Sequence, residues 1–589
     1  MQRLLILLFA LAALLIAPAC DGCGSKKGAI PASAQDRITQ LSEQLPLSTD
    51  ALIIAPKLDE TREALDIVMR RTEAFNPAVR MIESQIQREW GIKLNDPESW
   101  KRAGITPDGS LMVAMVVNRP VLVTYVADKQ AFESVFVERL RKTFEITEPV
   151  RNEKMGKTSL KISGKSGGLE LAWFYKDNIA FVALPAFDAI EALEEGTALA
   201  IATQIQTTAA EESLGKSAPF MAFRDNLAKD LPLSVYVDPD RYLARVEQAP
   251  NPNPTPVDEL IEQVALFSQN NAEGAGVGLI ATDTRIQLKA YAGGNEELVK
   301  KAREAYLSQM EADWANLLTK NTMLGVRTSF DMPKAYQAFL DGLPEENSRA
   351  IRRNLVEMGR NYNLNLEDDV IAAMTGHSLI AFYGIGTRQL MGALGQGAPI
   401  QQIMSVLSAS GLLISADFSE QRKLEALVDS LGQFATGYAE LRPLNYKGAP
   451  VDDARVLVPA NLNALPARLF QRGDNLTIAA AGMGEDAVYE YLSGKRDEPA
   501  LKDVEGLDLG ARFASEKNLN GLYFNFERLR ENFGSMPMIG NVISTLDPLQ
   551  ELLLEVAVEE EGLFATASLD FVAPLPEPGT PADAPVEQP

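Results

Sequence analysis

The chain carries a single histidine, His377, and that count alone removes several chemistries. A hydrolase triad needs an imidazole set between a nucleophile and a carboxylate, and a zinc site built from several imidazoles needs at least two. Gly376-His377-Ser378 resembles the opening of a nucleophile elbow, but Ile380 stands where the second glycine belongs, and the serine precedes an apolar run instead of following one. The pattern puts His377 in the turn that enters a strand. Gly156-Lys157-Thr158 and Gly164-Lys165-Ser166 end like phosphate-binding loops, yet the glycine required five residues upstream is Arg151 in one and Ser159 in the other. Both read as hairpin-turn residues. Gly384, Gly386, Gly392, Gly395 and Gly397 miss the dinucleotide-binding spacing.

Cys20-Asp21-Gly22-Cys23 has redox spacing but sits at the head of the chain, outside any βαβ unit. Beyond it there is no cysteine, so the body has no disulfide, thiolate nucleophile or Cys-ligated zinc. The 80 Asp and Glu residues offer many carboxylate pairs, but only geometry identifies a glycosidase pair among them. Trp90 and Trp314 lie on apolar helical faces and, with Trp100 and Trp173, make no dense sugar platform. The sequence therefore assigns no catalytic residue, no cofactor and no metal ligand. A net charge of −24 opposes phosphate backbones and excludes nucleic acid as a partner.

The N-terminus predicts export. Met1-Gln2-Arg3 is a short positive region and Leu4 to Ala17 an uncharged apolar run, shorter than the roughly 20 residues that span a bilayer. Ala17-Pro18-Ala19-Cys20 resembles a lipobox with Ala17 in the usual leucine position, and it also satisfies the A-x-A rule of ordinary cleavage. We expect a signal peptide over 1–19, a lipidated Cys20, and a flexible tether over 20–44. The mature protein is then held to a membrane of the cell envelope by its lipid, facing the periplasm or the exterior.

The elements behind these residues recur. Ala51 to Ala55 followed by Asp59 and a helical pattern matches Gly325 to Phe330 followed by Asp331 and Pro333. Val79, Ile82, Ile86 and Trp90, closed by Gly91, match Ile351, Leu355 and Met358, closed by Gly359. Later anchors keep the order. Leu111 to Val117 pairs with Leu379 to Tyr383, and Val121 to Ala127 with Leu412 to Ala416. The Asp177-Asn178 hairpin pairs with one at Asp474-Asn475, and Leu233 to Val237 with Leu522 to Phe524.

The predicted class is α+β: two tandem copies of an antiparallel or mixed sheet of about seven strands with helices on one face. The first copy spans 45–294, a connecting helix 295–320, the second copy 321–572 and a disordered Pro- and acid-rich tail 573–589. Gln248 to Pro256 reads as a surface loop.

The copies differ at one hairpin. Asn118-Arg119-Pro120 closes it in the first, whereas Gly386 to Gly411 intervenes in the second. That insertion holds Leu390, Met391, Leu394, Ile400, Ile403, Met404 and Leu407 with almost no charge, a composition suited to contact with a ligand or partner. Folding back to cap the second copy is the equally open alternative.

The signal, the strand-then-helix opening of each copy, and the stretches Gly91-Ile-Lys-Leu-Asn-Asp-Pro-Glu98 and Ala103-Gly-Ile-Thr-Pro-Asp-Gly109 resemble duplicated bacterial envelope lipoproteins that carry a domain of unknown function. The resemblance implies an envelope lipoprotein and no particular activity. The leading expectation is a non-catalytic binding or scaffold protein that uses the insertion to hold an envelope protein or an apolar ligand. The alternatives are a carboxylate-dependent hydrolase of cell-wall glycans and a purely structural lipoprotein.

Overall fold

The computed structural model describes residues 30–73, 101–117, 119–155, 158–164, 170–185, 197–248, 274–293, 299–300, 303–304, 317–329, 331–341, 345–360, 365–385, 410–434, 439–459, 467–480, 483–493, 499–515, 520–534 and 540–575. Its contacts divide into two units. The first takes in the chain to Val299 with Glu560–Phe564, and the second Lys300–Glu559 with Ala565–Ala573.

In the first unit the strands are β1 (Thr49–Ala55), β2 (Leu111–Val116), β3 (Arg119–Tyr125), β4 (Arg151–Met155), β5 (Thr158–Gly164), β6 (Glu170–Lys176), β7 (Ile179–Ala183), β8 (Leu233–Val237), β9 (Gly274–Ala281) and β10 (Arg285–Gly293). Every pair is antiparallel, in the order β4-β5-β6-β7-β3-β2-β1-β8-β9-β10. In the second they are β11 (Leu324–Ser329), β12 (Met374–Ile385), β13 (Ser410–Phe418), β14 (Ala439–Tyr446), β15 (Ala449–Pro459), β16 (Ala467–Arg472), β17 (Asn475–Ala480), β18 (Asn520–Asn525), β19 (Leu549–Val558) and β20 (Leu563–Phe571). Their order is β14-β15-β16-β17-β13-β12-β11-β18-β19-β20, the same path taken again. The α+β class and antiparallel pairing hold, with ten strands per unit among the described residues where the pattern gave about seven.

The helices follow from caps and apolar periodicity. Those of eight residues or more are α1 (Ala34–Ser42), α2 (Leu58–Glu73), α3 (129–143), α4 (Ala198–Thr207), α5 (Ala218–Asn226), α6 (Pro239–Gln248), α7 (Met332–Asp341), α8 (Glu345–Arg360), α9 (Gln421–Phe434), α10 (Met483–Ser493), α11 (Asp508–Ser515) and α12 (Phe526–Phe533). Asp128 starts α3 by accepting from the amides of Gln130 and Ala131, and Phe132–Val137 is wound as π-helix, setting the rings of Phe132 and Phe136 5.0 Å apart. Gly104 is required beneath it: its φ is +76, and a Cβ there would lie 2.3 Å from both Asp128 O and Phe132 N.

Helices lie against both faces of the first sheet, a correction to the one-face expectation. Phe132, Phe136 and Leu140 with Leu58, Leu65 and Met69 cover Val113, Leu122 and Val182 on one face. Ile38, Leu41, Ile201, Ile205, Phe220 and Phe223 cover Met112, Val123, Phe174 and Phe181 on the other. Continuous apolar runs such as Leu111-Met-Val-Ala-Met-Val116 are the mark of a strand buried on both sides.

Local corrections have local causes. Val116 pairs with Arg119, so Arg119 lies inside β3 and not in the connection before it. Arg472 pairs with Asn475, which moves that turn to Gly473-Asp474, where Gly473 takes the positive φ. Ser410 and Gly411 belong to β13, which trims the insertion to 386–409. The signal, Cys20, the tether's start, the second helix of the first copy, the surface loop beyond Gln248, most of the connecting helix, 576–589, and the insertion with Leu390, Met391, Leu394, Ile400, Ile403, Met404 and Leu407 lie outside the described residues.

Candidate functional site: an uncovered aliphatic row and a buried carboxyl in the second unit

Register puts one residue from each of nine strands side by side across the second sheet: Leu441, Leu457, Leu469, Ile478, Ile414, Ile380, Val326, Leu522 and Leu554. All are aliphatic. At the Leu469 end α9 covers the row, with Leu424, Leu427 and Val428 packed on Phe418, Leu441, Leu469 and Leu476. Past that cover Ile478, Ile414, Ile380 and Leu554 are each 40% exposed, with Val326 and Leu522 half-buried between them. Six strands at the usual spacing make this stretch about 24 Å long.

The first unit shows how such a row is normally closed. Its register equivalents are Val182, Leu122, Val113, Ile53, Val235 and Val277. There Val113, Leu122 and Val182 are buried beneath α2 and α3. Leaving three adjacent isoleucines open is therefore particular to the second unit. A contiguous apolar strip of this kind marks a surface that gains by being covered.

The opposite face of the second sheet departs in the other direction. Ile54, Val123, Tyr125, Ile179 and Phe181 in the first unit correspond by register to Arg327, Ser415, Asp417, Asn475 and Thr477. Asn475 Nδ2 donates to Asp417 Oδ1 at 2.7 Å, Ser415 and Thr477 hydroxyls meet at 2.9 Å, and Thr477 Oγ1 donates to Asn475 Oδ1 at 2.8 Å. His377 Nδ1 stands 3.7 Å from Asp417 Oδ2. His377 is inside β12, opposite Ser329, not in the turn before it, because the pairing with β11 runs to the end of that strand. Strand alternation turns the next residue, Ser378, to the other face, where its Oγ is 2.6 Å from Thr328 Oγ1. Ser378 and His377 thus cannot act as nucleophile and base.

Deeper on this face lies Glu551, fully buried. Its Oε2 accepts from the amide of Leu509 at 3.1 Å, and its Oε1 from the amide of Gly510 at 2.9 Å and from the Tyr523 hydroxyl at 2.8 Å. The carboxyl thereby closes the N-terminus of α11, whose first amides have no partner within the helix. Burial pushes its pKa up to about 7 against the pull of those three donors, and Asp570 adds to the rise. Full burial keeps Glu551 from acting on a substrate.

Among the described residues, no group of three or more His, Cys, Asp or Glu side chains is placed to hold a metal ion, and no helix is long and apolar enough to cross a membrane. Sequence reasoning missed both the row and Glu551. The signal for the first was present in His377-Ser-Leu-Ile-Ala-Phe-Tyr383 and Leu412-Leu-Ile414, whose apolar residues occupy both strand faces while, among the described residues, only one face has helices enough to cover it. For the second it was the acid inside Leu549-Gln-Glu-Leu-Leu-Leu554.

No family model matches the chain, and no curated protein matches it. The solved structure of TP0453 in its crystal form III aligns over 46% of this chain and 88% of that one, at 10% identity and a TM-score of 0.22, too slight a likeness to carry an argument.

Proposed function

We propose that the protein is an exported lipoprotein, fastened to an envelope membrane through Cys20, and that its second unit binds an apolar ligand without catalysing a reaction. The observation that carries this reading is the open row Ile478-Ile414-Ile380, whose counterparts in the first unit are buried under helices. On this reading the two units descend from one duplicated domain, the first kept closed and the second opened for binding. The insertion, with Leu390, Met391, Leu394, Ile400, Ile403, Met404 and Leu407, joins the very strands that carry Ile380 and Ile414, and supplies further apolar contacts to the ligand.

The test is a titration of the mature protein with a fluorescent long-chain acyl probe, repeated on a chain lacking 386–409. Saturable binding that the deletion weakens is expected. Absence of saturable binding by the intact chain, or unchanged affinity after the deletion together with unchanged affinity after replacing the three isoleucines, would overturn the reading.

A further inference from the structure

We propose that the second unit carries a proton-operated latch, in which the carboxyl of Glu551 fastens α11 to strands β18 and β19 while protonated and loosens that attachment on losing its proton.

The geometry is that of a fastening. Glu551 lies on β19 directly opposite Asn525 of β18, and its two oxygens reach the first amides of α11 and the Tyr523 hydroxyl of β18. One side chain therefore ties together a helix and two strands. The protonated carboxyl keeps its acceptor sites for the amides, and the Tyr523 hydroxyl, free to rotate, accepts the carboxyl proton in place of donating. The ionised form leaves a full charge in an interior closed to solvent, with three dipoles and no cation among the polar groups bound to it.

The charged and titratable neighbours reinforce this. Asp570 of β20 raises the carboxyl's pKa, as a second negative charge must. On β19, Glu555 is engaged by Arg512 of α11 at 2.9 Å. Arg327 of β11 donates to the Phe513 carbonyl at the far end of α11. Asp508 opens α11, and Lys502 and Asp503 sit on the turn whose Leu501 packs against Gly510. Tyr523 is held well above its ordinary pKa by burial and by Glu551 itself, so it stays protonated through the range in question.

The first unit solves the same problem without a proton. The position matching Glu551 is Gly274, and the helix there, α5, has Pro219 as its second residue, which has no amide hydrogen to satisfy. Phe220 packs edge-on against Tyr236, the counterpart of Tyr523, at 5.2 Å. A structural cap thus needs no acid at this place in the fold, and the second unit has one.

The sign of the pH effect follows from the raised pKa. The folded unit holds this proton up to about pH 7, the unfolded chain only to about the ordinary 4.5, so the protonated latch stabilises below and is lost as pH rises through neutrality. Over that interval the unfolding equilibrium of the unit moves by on the order of a few hundred-fold.

The experiment is hydrogen exchange of the α11 amides in the mature full-length chain between pH 5 and 8, corrected for intrinsic rates, on wild type and Glu551→Gln. Protection in wild type should fall between pH 5 and about 7 and level off above it, while the Glu551→Gln profile stays level throughout. Equal slopes in the two, or a level wild-type profile, overturns the latch. Asp570→Asn removes the negative charge that helps hold the carboxyl's pKa up, so its midpoint should move to lower pH. An unmoved or raised midpoint overturns the proposal even if the glutamine variant fails to fold.

Discussion

Replacing Ile380, Ile414 and Ile478 together by threonine separates binding from folding. Threonine is β-branched like isoleucine and keeps the strand preference, while its hydroxyl is content in water and poor under an apolar ligand. Burying an isoleucine fully contributes about 1.5–3 kcal/mol. Each of the three is 40% exposed, so covering it yields about 0.6–1.2 kcal/mol more, and the three together about 2–4 kcal/mol. That is roughly a 30- to 1000-fold change in Kd. The portion already buried sets the folding cost, about 1–2 kcal/mol per site. The assay is the Kd for a fluorescent long-chain acyl probe, with circular dichroism and urea unfolding on the same samples. As a control, Val113→Thr alters the matching but closed row of the first unit and should lower stability with the probe affinity unchanged. A triple variant that is folded and binds the probe as wild type does would refute the argument that the open row is the binding surface.

Further perturbations test other parts of the molecule. Cys20→Ala should remove a diacyl or triacyl mass from the membrane-extracted protein and release the chain to the soluble fraction, read by intact mass and fractionation; an unmodified wild-type chain starting at Cys20 would defeat the anchor. Gly510→Ala places a Cβ 2.9 Å from Glu551 Oε1, Leu501 Cδ1 and the Tyr523 hydroxyl, and should lower stability by about 1–3 kcal/mol in denaturant titration. Gly104→Ala meets both a positive φ and the backbone of α3, and should lower the expression of folded protein more severely, as measured by soluble yield and protease resistance. Arg119→Met removes the buried Nη1 that donates to the Leu184 and Glu170 carbonyls at 2.9 and 3.2 Å, and should cost about 1–3 kcal/mol in urea unfolding.

The strand-by-strand pattern was legible because antiparallel hairpins announce themselves locally: Asp177-Asn178 between two apolar runs forms the expected turn, with Asp177 at a φ of 51°. The missing strands were the polar ones. β4, Arg151-Asn-Glu-Lys-Met155, has no apolar alternation, and only its pairing with β5 makes it a strand. Its counterpart β14 is equally mixed, with Arg442 and Pro443 at its centre. The row was illegible for a different reason. Ile380 and Val113 are both aliphatic residues in aliphatic strands, and what distinguishes them is whether helices from elsewhere in the chain arrive to cover them. Glu551 lay hidden because an acid within an apolar strand acquires its meaning from Leu509 and Gly510, some forty residues away.

The outer strands β4 and β14 bear on how this protein survives crowding. Among the described residues each ends its sheet's order, where a strand exposes backbone donors and acceptors to any passing chain. On β4 Arg151, Asn152 and Lys154 stand in solvent, and on β14 Glu440 and Arg442 pair across 2.5 Å beside Pro443, which has no hydrogen to donate. A neighbour laid alongside would meet desolvated charge and a gap in the ladder. Molecules packed at high density can therefore jostle edge to edge without zipping into fibrils, leaving apolar association to the sheet face.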